Sequence, residues 1–269
     1  MDLATRHLRA PERAADLRAS LPRVEPRDWR GRLHRSLSLW DPRSFSDADV
    51  RALWRFRACF VDLKPHIDPE ADFADFADFV RGADFAWVWL ADDGAVLGTC
   101  FHRSERHEVD GRAYTVVHSE YGYTASRGGN SVVLAQFAVY LAATLRAREA
   151  IYFGGLAYPH GYPVFALSFP RIWLLGEDTV PADARALAEH LGAAWAGDAW
   201  DPARRRVAFR TLPREAPNDR GPARQRLLAH YEALNPEWRA GHGLLLLGRL
   251  DLASVPSLLG GLVRRLRRR

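Results

Sequence analysis

Three short stretches of this 269-residue chain carry side chains that could move a proton or hold an anion. In AYTVVHSEYGYT, residues 113–124, His118, Ser119, Glu120 and Tyr121 follow one another within an otherwise apolar, strand-like run. Successive side chains on a strand point to opposite faces, so His118 and Glu120 are expected on one face and Ser119 and Tyr121 on the other. A carboxylate in such a run needs a reason, either proton transfer or a buried structural hydrogen bond.

AYPHGYP, residues 157–163, places Tyr158, His160 and Tyr162 just beyond a second apolar strand. An imidazole titrates near neutrality, so His160 could also act as a base. A turn shaped by Pro and Gly and packed by aromatic rings would use the same residues.

SRGGNS, residues 126–131, joins the first strand to an apolar helix. The opening turn of a helix has four unpaired N–H groups and the positive end of the helix dipole. Gly128 and Gly129 would let a diphosphate approach that backbone, Arg127 adds a cation, and Asn130 or Ser131 could cap the helix. The alternative is a glycine-softened connection whose arginine faces water.

No zinc-ligand spacing, phosphate-binding P-loop or nucleophile elbow occurs in the sequence. ADFADFADF sets Asp72, Asp75 and Asp78 beside Phe73, Phe76 and Phe79. With no His or second carboxylate cluster nearby to complete a site, we expect a solvated acidic face beside a buried Phe ridge, and no metal.

The elements that must position these residues follow from periodicity. Residues 1–44 read as a polar, Arg-rich N-terminal extension. Ser46 caps a helix with Leu53, Trp54, Phe56, Phe60 and Val61 on its apolar side, and a second helix opens at Pro69. Residues 85–124 turn strand-like, with Asp92-Asp93-Gly94 and Asp110-Gly111 as hairpin turns, and give a three-stranded meander. An apolar helix through Leu145, a buried strand at 150–157 and a short helix between Gly161 and Phe169 follow. Residues 176–252 alternate helix and strand, and residues 253–269 form a basic amphipathic tail.

This order resembles the GNAT (Gcn5-related N-acetyltransferase) fold, and residues 45–175 carry the resemblance. It implies an α/β (α+β) protein with a mixed, mostly antiparallel sheet flanked by helices, an N-terminal extension and an elaborated C-terminal part. It further implies an acyltransferase moving an acyl group from a thioester to an amine on a small molecule or peptide. Acyl-CoA or acyl carrier protein would be the co-substrate, with no tightly bound cofactor. Within that resemblance Glu120 becomes the general base with His118 behind it or His160 in its place. Tyr162, then Tyr158, would protonate the departing thiolate, and Tyr121, Tyr123 and Arg127 through Ser131 would line the cofactor side. The family's pyrophosphate loop reads Gln/Arg-x-x-Gly-x-Gly/Ala; here Arg127 fits, but Asn130 and Val132 stand where its glycines belong. A non-catalytic binding module of the same fold is the rival reading.

The composition sets outer bounds. An apolar fraction of 48% and a charged fraction of 26% are those of a soluble globular protein. A net charge of +5 and a pI near 9.5 allow an anionic partner. Much of the excess sits in Arg264–Arg269, where it could meet acyl carrier protein or an anionic membrane surface, and the remainder is too balanced for nucleic acid. Lys64 is the only lysine among 38 basic residues, an Arg bias that fits a GC-rich genome. Cys59 and Cys100 read as free thiols of a reducing compartment. The charged N-terminus is no secretory signal and no apolar run approaches a membrane span, so we expect a cytoplasmic protein, with the basic amphipathic tail as its candidate contact with a membrane surface.

Overall fold

The computed structural model describes residues 19–32, 38–125, 130–146, 150–167, 169, 171–214 and 221–250, with the backbone alone described for 130–137. Helix α1, Asp47–Arg57, begins at a reciprocal cap in which Ser46 Oγ accepts from Asp49 N–H and Asp49 Oδ2 accepts from Ser46 N–H. The helix stops at Arg57, short of the expected apolar run. Ala58, Cys59 and Phe60 donate to the carbonyls of Arg55, Phe56 and Arg57, three residues back, which tightens the last turn. The chain then enters strand β2, Val61–Leu63, and helix α2, Pro69–Gly82.

Among the described residues the main sheet has nine strands. Its path runs β1 (Leu39–Trp40), β3 (Phe85–Leu90), β4 (Val96–Val109), β5 (Arg112–Thr124), β6 (Ala150–Ala157), β11 (His242–Leu250), β9 (Arg206–Ala208) and β8 (Trp200–Asp201), with β7 (Ile172–Leu174) also on β11. Every pairing is antiparallel except β5 with β6. The two hairpin turns of the meander are those expected, with Gly94 at φ +77 and the Asp110-Gly111 pair at +51 and +72. Thus the mixed, mostly antiparallel sheet flanked by helices is present. Periodicity reads RRVAFRTL, residues 205–212, as one strand, but it is two: it breaks after Ala208, and β10, Thr211–Pro213, leaves to pair with β2 as a separate ribbon.

Two layers cover the sheet. On one face lie α1, α2 and α5 (Ala182–Ala196), over Val88, Phe101, Val116 and Tyr152. Leu21, Val24, Trp29 and Leu39, from the segment expected to be an extension, are buried, and β1 pairs with β3. On the other face lie α3 (Asn130–Arg146), α4 (Tyr162–Ala166) and α6 (Pro222–Leu234), over Val117, Phe153 and Leu246.

The middle of the sheet opens. The β5–β6 ladder runs from Tyr114–Ala150 to His118–Gly154 and ends there. Gly155 is needed beside the opening, because a Cβ at that position would lie 2.5 Å from Ser119 O. At the same level β5 bulges: its partners on β4 jump from Phe101–Glu120 to Thr99–Tyr123. Tyr121 takes φ +51 to make the bulge, and Thr99 Oγ1 donates to its carbonyl at 2.9 Å. This corrects the expected alternation. Tyr121 packs on Phe76 and Phe79 of α2, on the side of His118 rather than of Ser119.

Candidate functional site

His118 sits at the last rung of the β5–β6 ladder, buried between two carboxylates. Its Nδ1 lies 3.4 Å from Glu105 Oε1, and its Nε2 lies 3.3 Å from Glu120 Oε1, the latter without the alignment of a hydrogen bond. Trp195 of α5 stacks on the imidazole with ring centroids 3.7 Å apart, and Phe79 meets it edge-on. Burial alone would disfavour the imidazolium, but Glu105 and Glu120 outweigh it and raise the His118 pKa above its ordinary value.

Glu105 is the anchor of the group. It accepts from Trp195 Nε1 at 2.7 Å and Arg103 Nε at 2.6 Å, and pairs with His107 Nε2 at 3.0 Å. Burial pushes its carboxyl up, yet the hydrogen bonds from His118, Trp195 and Arg103 hold it well below the usual carboxylate range. Glu120 is the more exposed of the two carboxylates, at 19% against 14% for Glu105, whereas His118 is at 3%. Glu120 is thus the carboxylate nearer solvent, with the His118 imidazole sealed behind it.

The opposite face of β5 is uncharged. His102 Nδ1 lies 2.8 Å from Ser119 Oγ, which in turn lies 3.3 Å from Tyr140 Oη on α3. Burial, then the charge on nearby His118, pushes His102 down to about 4, so it is a neutral imidazole. Burial pushes the Cys100 thiol up to about 12. This side of β5 is therefore a buried, uncharged part of the core.

The remaining expected residues divide into two places. Tyr158 donates its hydroxyl proton to Thr211 O and packs on Phe209, and burial raises its pKa to about 12. Tyr123, stacked on Phe60, feels both Tyr158 and Glu120 electrostatically, so these three share one end of the sheet. His160 meets Trp238 edge-on at 5.9 Å. Tyr162 instead lies in the layer of α4 and α6, against His230 and Tyr231, with Glu177 nearby and a pKa raised by burial to about 12. Arg127, Gly128, Gly129 and the tail containing Arg264–Arg269 lie outside the described residues, as do the side chains of Asn130 and Ser131.

Glu105, Arg103 and His107 were not among the expected site residues. The alternation in HRSERHE places all three on one face of β4, and the register with β5 makes it the face of His118. Trp195 has no local signal at all. The acidic stripe on α2 also proves mixed: Asp72 is buried, pairs with Arg57 and accepts from Trp54 Nε1 at 2.8 Å. Among the described residues no three His, Cys, Asp or Glu side chains are grouped to hold a metal ion, and no helix is long and apolar enough to cross a membrane.

No family model matches this chain, and no curated protein matches it. Among solved structures it is similar to a conserved protein of unknown function from Enterococcus faecalis V583, described as a probable N-acyltransferase. The identity is 9% and the TM-score 0.37, over 55% of this chain and 41% of that one.

Proposed function

We propose that this protein is a GNAT-like acyltransferase that moves an acyl group from a thioester to an amine, with Glu120 as the general base. The observation that carries the reading is the position of Glu120. It follows the last β5–β6 rung, at a bulge, with the His118 imidazole behind it and an uncharged layer across the strand. Where two parallel strands part, backbone N–H groups lose their ladder partners and can polarise a thioester carbonyl.

In the proposed step the amine nitrogen attacks the thioester carbon and the C–S bond breaks. Glu120 takes the proton that the amine loses. The departing thiolate takes a proton from Tyr158, whose hydroxyl is held protonated by burial and would turn from Thr211 O. Acyl-CoA or acyl carrier protein would lie along the α3 face, its phosphate toward the start of that helix. Tyr162 would border the same side.

The test is transfer from octanoyl-CoA to a primary amine by the purified full chain. Glu120→Gln should lower the rate by about 10²–10⁴-fold, the range for loss of a positioned base. Wild-type turnover in the variant would refute the assignment.

A further inference from the structure

At the same end of the sheet, three basic side chains meet where β11 begins, and their polar atoms are incompletely satisfied. Lys64 follows β2 and is held in place by its N–H, which donates to Arg210 O at 2.9 Å. Its side chain runs past Gly241. A Cβ there would lie 2.6 Å from Lys64 Cε and 2.9 Å from Nζ, and φ of +82 independently favours glycine. Among the described residues no carboxylate pairs with Lys64 and its ammonium makes no hydrogen bond. Burial lowers its pKa.

His242, the next residue after Gly241, has Nδ1 buried with no hydrogen-bond partner, while Asn235 Nδ2 fixes its carbonyl at 2.9 Å. Arg206, more than nine-tenths buried at 8% exposure, leaves Nε without a hydrogen bond. Its NH1 reaches Glu237 Oε2 at 2.8 Å, and Asp201 Oδ2 stands 3.8 Å from Nε. Glu237 also lies 3.9 Å from His242 Nε2. Glu237 balances Arg206, and Asp201 is also paired with Arg204 at 3.5 Å, so the charge left without a counter-ion at this corner is that of Lys64, which lies near enough to His242 to disfavour its imidazolium.

The corner adjoins the candidate site. Thr211 O, which accepts from Tyr158, is 2.7 Å from the Cβ position of Gly241, and Trp238, which borders His160, immediately precedes the same turn. We propose that Lys64, with His242 and Arg206, forms a subsite for a carboxylate carried by the acceptor, so that the substrate class is an amine bearing a carboxylate. The assignment of the bound molecule as acceptor rests on the acyl-transfer reading; the anion site itself does not. A partly buried ammonium without a counter-ion gains a charge-assisted hydrogen bond when a carboxylate arrives, and a neutral amine offers it nothing.

The experiment titrates the full chain with glycine, 4-aminobutyrate and 6-aminohexanoate, with hexylamine as the carboxylate-free control and inorganic phosphate as the competing anion. Binding is read calorimetrically and by the His242 imidazole resonance, neither of which needs turnover. At least one amino acid should bind and shift that resonance, and hexylamine should not shift it. Lys64→Met should weaken binding by about tenfold or more, and Lys64→Arg should retain most of it. Unchanged affinity in Lys64→Met, no binding by any of the three, or binding of phosphate alone would overturn the proposal. Equal transfer rates to hexylamine and 6-aminohexanoate would also overturn it while leaving the acyl-transfer reading intact. Lys64-dependent binding with no transfer from any thioester would retain the anion site and remove the acyl-transfer reading.

Discussion

Replacing Glu105 by Gln tests the central group without assuming any reaction. The substitution keeps the shape and one acceptor oxygen, but it removes the charge facing His118 and Arg103. It also turns an NH₂ toward a group of donors that includes Trp195 Nε1 and His107. Breaking a buried ion pair from one side costs about 3–5 kcal/mol. Because Glu105 is partly exposed and Gln keeps one oxygen, we take the low end, about 3 kcal/mol, or roughly 6–12 °C in Tm for a chain of this size.

The pH dependence gives the sharper reading. His118 has a folded pKa raised above 6.5, so its contribution is complete below 6.5 and is lost as pH rises through the folded value. Glu105 has a folded pKa lowered from 4.5, so its contribution is complete above 4.5 and is lost as pH falls through the folded value. The gap between wild type and Glu105→Gln should therefore be widest between 4.5 and 6.5 and should narrow on the alkaline side. Urea unfolding at about pH 5.5 and about pH 9.5 measures it. A gap of equal size at both, or a destabilisation below about 1 kcal/mol, would refute the reasoning.

Three further substitutions probe the opening and its supports. Gly155→Ala should cost about 1–3 kcal/mol, because the new methyl meets the backbone oxygen of Ser119, which no rotamer change can move; thermal unfolding checks it. Tyr121→Gly relieves a left-handed backbone worth about 1–2 kcal/mol but forfeits a ring packed on Phe76 and Phe79, a loss of about 3–5 kcal/mol. Packing should win, and a variant more stable than wild type by denaturant melting would show the bulge to be strained. Asp72→Asn leaves the buried Arg57 guanidinium without its anion and should destabilise by about 3–5 kcal/mol in the same measurement, whereas an unchanged midpoint would mean the pair is worth nothing.

Much of the scaffold was legible in the chain itself. Ser46 with Asp49, Pro69 after Asp68, and the Asp-Gly turns at 93–94 and 110–111 are local instructions, and the helices and hairpins start and stop at or near them. Alternating and helical periodicity placed the meander, the helix after it and the buried strand at 150–157, because each pattern depends only on neighbours a few residues away. The same local logic put His118 and Glu120 on one face.

It failed where pairing over long distances decides the outcome. The bulge at Tyr121 arises from register with Thr99 and Phe101, so the alternation that held through Glu120 broke one residue later. β2 and β10 are three residues each and pair across some 150 positions, too short to show a period. Residues 19–32 look polar in sequence, yet Trp29 and its neighbours complete a core built from other elements. Glu105 and Trp195 are 90 positions apart and meet only because α5 crosses β4 and β5. The chain's local chemistry determined which groups were available. The tertiary structure alone decided that one histidine would be buried between two carboxylates, because only packing brings a second carboxylate and an indole close enough to outweigh the cost of burying its charge.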